Sequence, residues 1–150
     1  MPYPGLAVDR YWTVIQFNAA PAQLYGQSGV TIGNSLVELM TSDISPNVIE
    51  NWPEVAHHAA RRLRLYNTAL GGIPQFDHAS AKLSQVEGCD RLGSSPFIPT
   101  VFNNGEYKLS MFATLAQFGT PEDALRDDLK IERYYSMDPK TAAIFKVLGQ

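Results

Sequence analysis

Residues 45–72 (SPNVIENWPEVAHHAARRLRLYNTALGG) carry the strongest helical pattern in the chain. Asn51 and Glu54 stand at capping-box spacing, and Pro53 between them suits a first helical turn. The pair Gly71-Gly72 is a C-terminal stop signal. We therefore predict a helix of about five turns whose apolar stripe has to cover another layer. The side chains that recur on this stripe with a 3.6-residue period are Trp52, Val55, Ala56, Ala59, Leu63, Tyr66 and Leu70.

β-rich segments near both ends of the chain supply that second layer. Residues 5–9 (GLAVD) and 12–17 (WTVIQF) predict a hairpin. Asp9 is expected to structure the turn of this hairpin rather than to take part in acid–base chemistry. Three later strands are predicted at residues 97–103, 106–118 and 125–135. The dipeptide Asn104-Gly105 between the first two of these is a strong hairpin signal.

Shorter helices are predicted from their caps and stop signals. The candidate caps are Asn18, Asn34, Asp77 for a helix that reaches Glu87, and Asp138 before Pro139. The resulting order is two strands, several helices, three strands and a last helix. It predicts an α+β fold, in which a five-stranded antiparallel sheet has several helices packed on one face and a C-terminal helix.

Composition excludes several classes of protein. Cys89 is the only cysteine, so the chain has no internal disulfide and no thiolate metal cluster. A net charge of −3 argues against nucleic-acid binding by this chain alone. No apolar run approaches the roughly 20 residues of a spanning helix, and the start lacks the regions of a signal peptide. We therefore predict a cytoplasmic protein with no membrane partner.

The opening run YPGLAVDRYWTVIQFNAA resembles the start of the PAS-like ligand-binding domain of MmyB-like transcription regulators. The residues that match the family pattern are Pro4, Val8, Asp9, Trp12 and Asn18. Trp52 and Arg64 reproduce a twelve-residue spacing of that family. Residues 109–141 are similar to the strand-turn-strand that ends such domains. The resemblance covers essentially the whole chain.

The resemblance implies a bacterial regulator in which a helix-turn-helix domain of the Xre type precedes this module. It also implies an apolar ligand, with a fatty acid or a similar lipid as the candidate and no other cofactor. Met1 directly precedes the first predicted strand. We therefore expect residues 1–150 to be a single PAS-like sensor domain from a longer regulator, which would reach DNA only through a domain absent from this chain.

Arginines of the long helix are candidates for binding a ligand carboxylate. Arg62 and Arg64 flank the apolar stripe, whereas Arg61 lies opposite to it. Helix geometry favours Arg62, and the family spacing favours Arg64. Each could instead pair with an acidic side chain at the surface, where most charged residues lie.

Arg133 is a third candidate, on the last predicted strand. Alternation places it on one face with Leu129 and Ile131, and places Lys130 and Glu132 on the other face. If the face of Arg133 points inward, its guanidinium needs a partner. That partner could be a bound carboxylate or a neighbouring acidic side chain.

Apolar side chains from the helix and the sheet are predicted to line a pocket, because small-molecule sites are mostly apolar. The candidates are Trp52, Ala56, Tyr66, Phe102, Met111, Phe112, Phe118 and Tyr135. Small residues in the helix and the long strand leave room for a cavity: Ala56, Ala59, Ala60, Ala113 and Ala116. The same residues are also compatible with an ordinary filled core.

The chain lacks the patterns of catalytic and metal sites. His57 and His58 point about 100° apart on a helix, and His78 is distant in sequence, so we predict no metal site. No nucleophile motif or phosphate-binding loop is present, and Cys89 has no evident activating partner. We predict that the chain is not an enzyme.

Two functions remain. The first is a sensor domain that binds an apolar small molecule between helices and sheet and thereby modulates an attached DNA-binding domain. The second is a ligand-free PAS-like module for dimerisation or protein interaction. Leu65 and residues 144–148 are candidate homodimer contacts, or they pack on their own domain.

Overall fold

The computed structural model describes residues 3–18, 31–69, 71–88, 98–103, 105–117 and 129–148. One antiparallel sheet has the strand order β2-β1-β5-β4-β3, so the N-terminal hairpin lies beside the last strand. Its strands are β1 (Gly5–Val8), β2 (Val14–Phe17), β3 (Thr100–Asn103), β4 (Lys108–Gln117) and β5 (Lys130–Ser136). The predicted PAS-like α+β fold with a five-stranded antiparallel sheet is confirmed.

The described helices include the predicted long helix and a C-terminal helix. They are α1 (Leu36–Thr41), α2 (Ile44–Val48), α3 (Trp52–Ala69), α4 (Pro74–Ser84) and α5 (Pro139–Leu148). Helix α3 has 18 residues, which is the predicted five turns. It ends where Gly71 and Gly72 adopt positive φ angles of 81° and 97°. No helix in the described part of the chain combines the length and the apolar character that crossing a bilayer requires.

The predicted side-chain cap of α3 is wrong. The Asn51 carbonyl accepts from the Val55 N–H and so begins the helix. The Asn51 side chain instead donates to the Pro99 carbonyl at 2.6 Å and accepts from the Val101 N–H at 2.9 Å. The start of α3 is thereby tied to the start of β3, because both polar ends of one amide are occupied by the incoming strand.

Two other predicted caps are displaced. Ser35 rather than Asn34 caps α1, and its hydroxyl accepts from the Glu38 N–H. Helix α4 begins at Pro74 and ends at Ser84 rather than Glu87, because proline is favoured at a first helical position. Asp77 therefore lies inside the first turn of α4.

Asn67 and Asp77 join the two longest helices. The buried Asn67 side chain donates to the Asp77 carboxylate and accepts from the Ile73 N–H. An amide that bonds on both sides can be buried without cost to its polar groups. This contact binds α3 and α4 into one antiparallel pair.

The first hairpin turns through Asp9, as predicted. The Asp9 carboxylate accepts from the Tyr11 and Thr13 N–H groups at 2.9 and 2.8 Å. Trp12 within this turn has a φ of +64°, which is unusual for an aromatic residue. The turn delivers the Trp12 ring to the interior, where the residue is 5% exposed.

Other predictions fall partly outside the described residues. The helix expected after Asn18 lies there, and the Asn18 side chain itself bonds Gly5 N and Tyr3 O. Leu70, Cys89 and Phe118 are outside the described residues as well.

Asp138 caps α5 as predicted, since its carboxylate accepts from the Thr141 N–H at 2.7 Å.

The buried apolar residues in the described part of the chain form three clusters. The helical cluster contains residues of α3 and α4 together with Trp12 and Val37, and it includes no strand residue. One sheet cluster joins Phe102, Leu109 and Met111 to α5, and the other joins the strands of the first hairpin. The helical cluster and the sheet clusters share no buried residue, although Leu36 packs against both the helical cluster and the cluster of the first hairpin.

Candidate ligand-binding cavity

A cavity of about 420 Å³ occupies the space between the helices and the inner face of the sheet. Ligand cavities of proteins commonly measure about 300–1,000 Å³. The helical wall includes Leu36, Leu39, Met40, Val55 and Ala59, and the sheet wall includes Leu6, Phe102, Met111, Ala113 and Leu115. The wall is thus mostly apolar, as in small-molecule sites.

The inner face of β5 is polar. Lys130 and Glu132 are only 3% and 7% exposed, whereas Arg133 is exposed on the opposite face. The alternation of this strand was predicted, but the inward face is the charged one. Because β5 lies between β1 and β4 in the middle of the sheet, its buried charged side chains need partners, and Glu132 is the one of these two that lines the cavity.

Glu132 receives two hydrogen bonds at the cavity wall. Arg62 Nη2 donates to Glu132 Oε1 at 3.1 Å, and the Tyr134 hydroxyl donates to Glu132 Oε2 at 3.1 Å. All three residues line the cavity. We call Arg62, Glu132 and Tyr134 the polar cluster.

The Arg62 guanidinium is also held from a second side. Its Cζ lies 5.1 Å from the centre of the Trp12 ring, which is a cation–π distance. Burial is the largest single influence and lowers the pKa of Arg62, but the Glu132 carboxylate together with Tyr66 and Tyr134 raises it by more in sum, so the pKa lies above its ordinary value. Arg62 is therefore a fixed positive charge whose counter-ion is Glu132.

The comparisons with known proteins bear directly on this cavity. No curated protein matches the chain. A family model described as MmyB-like transcription regulator ligand binding domain matches residues 1–148. The chain belongs to this family. A ligand-binding domain of the MmyB-like type, in a regulator of transcription, is what the resemblance implied.

The MmyB-like domain brings three of the predicted site residues to the cavity. Arg62, Phe102 and Met111 belong to its wall. Trp52 and Ala56 are instead buried in the helical cluster. Their position follows from the close packing of α3 against α4, which takes up that part of the apolar stripe.

The remaining predicted site residues lie elsewhere in the MmyB-like domain. Tyr66 contacts the Trp12 ring at 5.6 Å, and Lys130 Nζ lies 3.5 Å from the Tyr66 ring centre. Arg64 is exposed and bonds the Ser84 hydroxyl. Phe112, Arg133 and Tyr135 lie on the outer face of the sheet, where the rings of Phe112 and Tyr135 stack at 5.4 Å. That these residues contact a ligand stays a prediction.

Several residues of the MmyB-like domain's cavity were missed from sequence. They are Trp12, His58, Glu132 and Tyr134. A signal for Trp12 existed, since it belongs to the family-matching opening run. Glu132 is the acidic partner of Arg62, but the two are 70 residues apart, so no local sequence pattern connects them.

No group of three or more His, Cys, Asp or Glu side chains in the described segments could hold a metal ion.

His58 gives the cavity wall a pH-dependent group. Burial lowers the pKa of His58, and the charges of Arg62 and Arg61 lower it further. Well above the ordinary value of 6.5 the ring is neutral in both folded and unfolded chains, so protonation of His58 does not then affect stability. Below that value the unfolded chain takes up the proton first, and the free energy of unfolding decreases.

His58→Gln is therefore expected to weaken the loss of stability on acidification. Urea unfolding at about pH 7.5 and about pH 5.5 should show a smaller decrease in the variant than in the wild-type chain. Exposed His78 provides the matched control, His78→Gln. Parallel pH profiles for wild type and His58→Gln would contradict the assignment.

Proposed function

We propose that this domain is the sensor of a bacterial, cytoplasmic transcription regulator and binds an apolar small molecule in the cavity. The observation that supports this proposal is the mostly apolar cavity of about 420 Å³ between the helices and the sheet. The candidate class of ligand is acyl-chain molecules, of which a fatty acid is the member that the family resemblance implies. The ligand is bound and released without being converted.

Binding can act on an attached DNA-binding domain through the helical layer. Helices α1, α2 and α3 face the sheet across the cavity, so a ligand there would contact both layers. A ligand shifts an equilibrium only by its difference in affinity for two arrangements. We propose that occupancy favours one placement of these helices relative to the sheet, and that this placement changes the position of an attached domain.

The test is to fill the cavity from one wall. Ala113 and Ala116 lie on β4, and both are exposed, but only Ala113 belongs to the cavity wall. Ala113→Trp is expected to weaken binding of C12–C18 acyl probes more than about tenfold, since it displaces ligand methylenes worth about 0.8 kcal/mol each. Ala116→Trp, three residues along the same strand, should bind as the wild type does.

Binding is measured by calorimetry and by thermal shift, and native mass spectrometry of the purified domain reports any co-purified lipid. The proposal fails if the wild-type domain carries no bound species and none of the acyl probes shifts its unfolding temperature. It also fails if Ala113→Trp and Ala116→Trp bind the probes equally well.

The second candidate function is an interaction module that needs no ligand. It is favoured by Leu65 and Val147, which are 74% and 71% exposed. Phe145 and Leu148 of the predicted dimer segment instead pack within the domain, against Phe102 and its neighbours. Sedimentation that shows a monomer at every concentration would exclude a homodimer.

A further inference from the structure

We infer that the ligand group which lies against the polar cluster is uncharged, and that it both donates and accepts hydrogen bonds. A long-chain alcohol or primary amide has such a head group, whereas an ionised fatty acid does not. The inference rests on the proposed function, because it concerns the ligand of the same cavity. It narrows the class of acyl-chain molecules to those without a negative charge at Arg62.

The charges of the polar cluster are already balanced. The Arg62 guanidinium already has a carboxylate at 3.1 Å, and that carboxylate has a second donor in Tyr134. The Glu132 side chain is 9% exposed and the Arg62 side chain 27% exposed, so the pair lies largely out of water. Arg62 therefore already has a counter-ion and does not require a bound anion.

An ionised carboxylate at this cluster would either face Glu132 or displace it. If it approached Arg62 with Glu132 in place, two carboxylates would share one poorly solvated site, and like charges at such a site disfavour ionisation. If it displaced Glu132, that side chain would become an unpaired buried charge, which is strongly destabilising. Both routes weaken binding.

An uncharged polar group can bind beside the ion pair without breaking it. A guanidinium has five N–H donors, and a carboxylate has about four acceptor positions. The described contacts engage one Arg62 nitrogen and two Glu132 positions. A hydroxyl or a primary amide can accept from Arg62 and donate to Glu132 without separating them. An ester can only accept, so it should rank below the alcohol and the amide.

The experiment compares four probes of one chain length: dodecanoate, 1-dodecanol, dodecanamide and methyl dodecanoate. Affinities are measured at about pH 8, where dodecanoate is ionised. In the wild-type domain, the alcohol and the amide are expected to bind at least about tenfold more tightly than dodecanoate. Ranking in the unmodified chain tests the inference even where a variant does not fold.

Glu132→Gln sharpens the test. The substitution keeps the shape of the side chain but removes the counter-ion of Arg62, so dodecanoate should gain at least about tenfold and become the preferred probe. Glu54→Gln changes an exposed carboxylate on α3 and should leave the ranking unaltered.

The outcomes separate the inference from the function on which it rests. Tight binding of dodecanoate by the wild type, equal to or above the uncharged probes, overturns the inference and leaves the proposed function standing. A ranking unchanged by Glu132→Gln also overturns it. Failure of all four probes to bind overturns both.

Discussion

Replacement of Leu63 by alanine is expected to lower the free energy of unfolding by about 2–5 kcal/mol. Leu63 is fully buried in the helical cluster, on the face of α3 that packs against α4. Truncation removes apolar contacts and leaves a void that close-packed neighbours fill only in part. The loss would be a large share of the 5–15 kcal/mol that typically stabilises a domain.

Leu65→Ala on the same helix is the matched control. Leu65 is 74% exposed, so its truncation should change stability by no more than about 0.5 kcal/mol. Both variants are measured by urea unfolding, with the m-value taken as a check that the same surface is exposed. Equal effects of the two substitutions would contradict the orientation of α3.

Arg62→Leu is expected to lower the free energy of unfolding by about 3 kcal/mol near neutral pH. Breaking a buried ion pair costs about 3–5 kcal/mol, because the remaining charge stays buried without a partner. The lower end applies, since the Arg62 side chain is 27% exposed and water screens it in part. Glu132 is the charge left behind.

A second substitution tests that reason. Arg62→Leu/Glu132→Gln removes the stranded charge and should recover most of the lost stability, so the two substitutions are strongly non-additive in a double-mutant cycle. Arg61→Leu, at an exposed position of the same helix, should have little effect. The assignment is wrong if Arg62→Leu costs no more than Arg61→Leu, or if Glu132→Gln does not rescue it.

Local signals accounted for much of the fold. The five turns of α3 follow from the spacing of its apolar residues, and its end at Gly71-Gly72 follows from the freedom of glycine at positive φ. Asp9 and Asp138 bond N–H groups within four residues of themselves. Patterns of this kind can be recognised in the sequence because the interacting groups lie close together in the chain.

Polar side chains with distant partners account for what was missed. Asn51 has the sequence context of a helix cap, yet its amide bonds the chain 48 and 50 residues later. Asp77 looks like a cap as well, but it is the acceptor of Asn67. A local pattern indicates that such a side chain forms hydrogen bonds, but it does not identify the partner.

Strand β5 of the candidate site is a second case in which a local pattern does not identify a distant partner. Alternation in β5 separates two faces, but it carries no information on which face is inward when one of them holds Lys130 and Glu132. Hydropathy alone favours Leu129 and Ile131 as the inward pair. The opposite outcome depends on Arg62, which lies on a helix 70 residues earlier and supplies the charge that permits Glu132 to be buried.

Two methionines, Met40 and Met111, belong to opposite walls of the cavity. An unbranched thioether side chain has three rotatable bonds and adapts to irregular shapes at little cost. A wall with such side chains on both sides can refit itself around guests that differ by a methylene or a bend. If the cavity binds acyl-chain molecules as proposed, discrimination between chain lengths should be weak, and the domain would respond to a group of related molecules rather than to a single one.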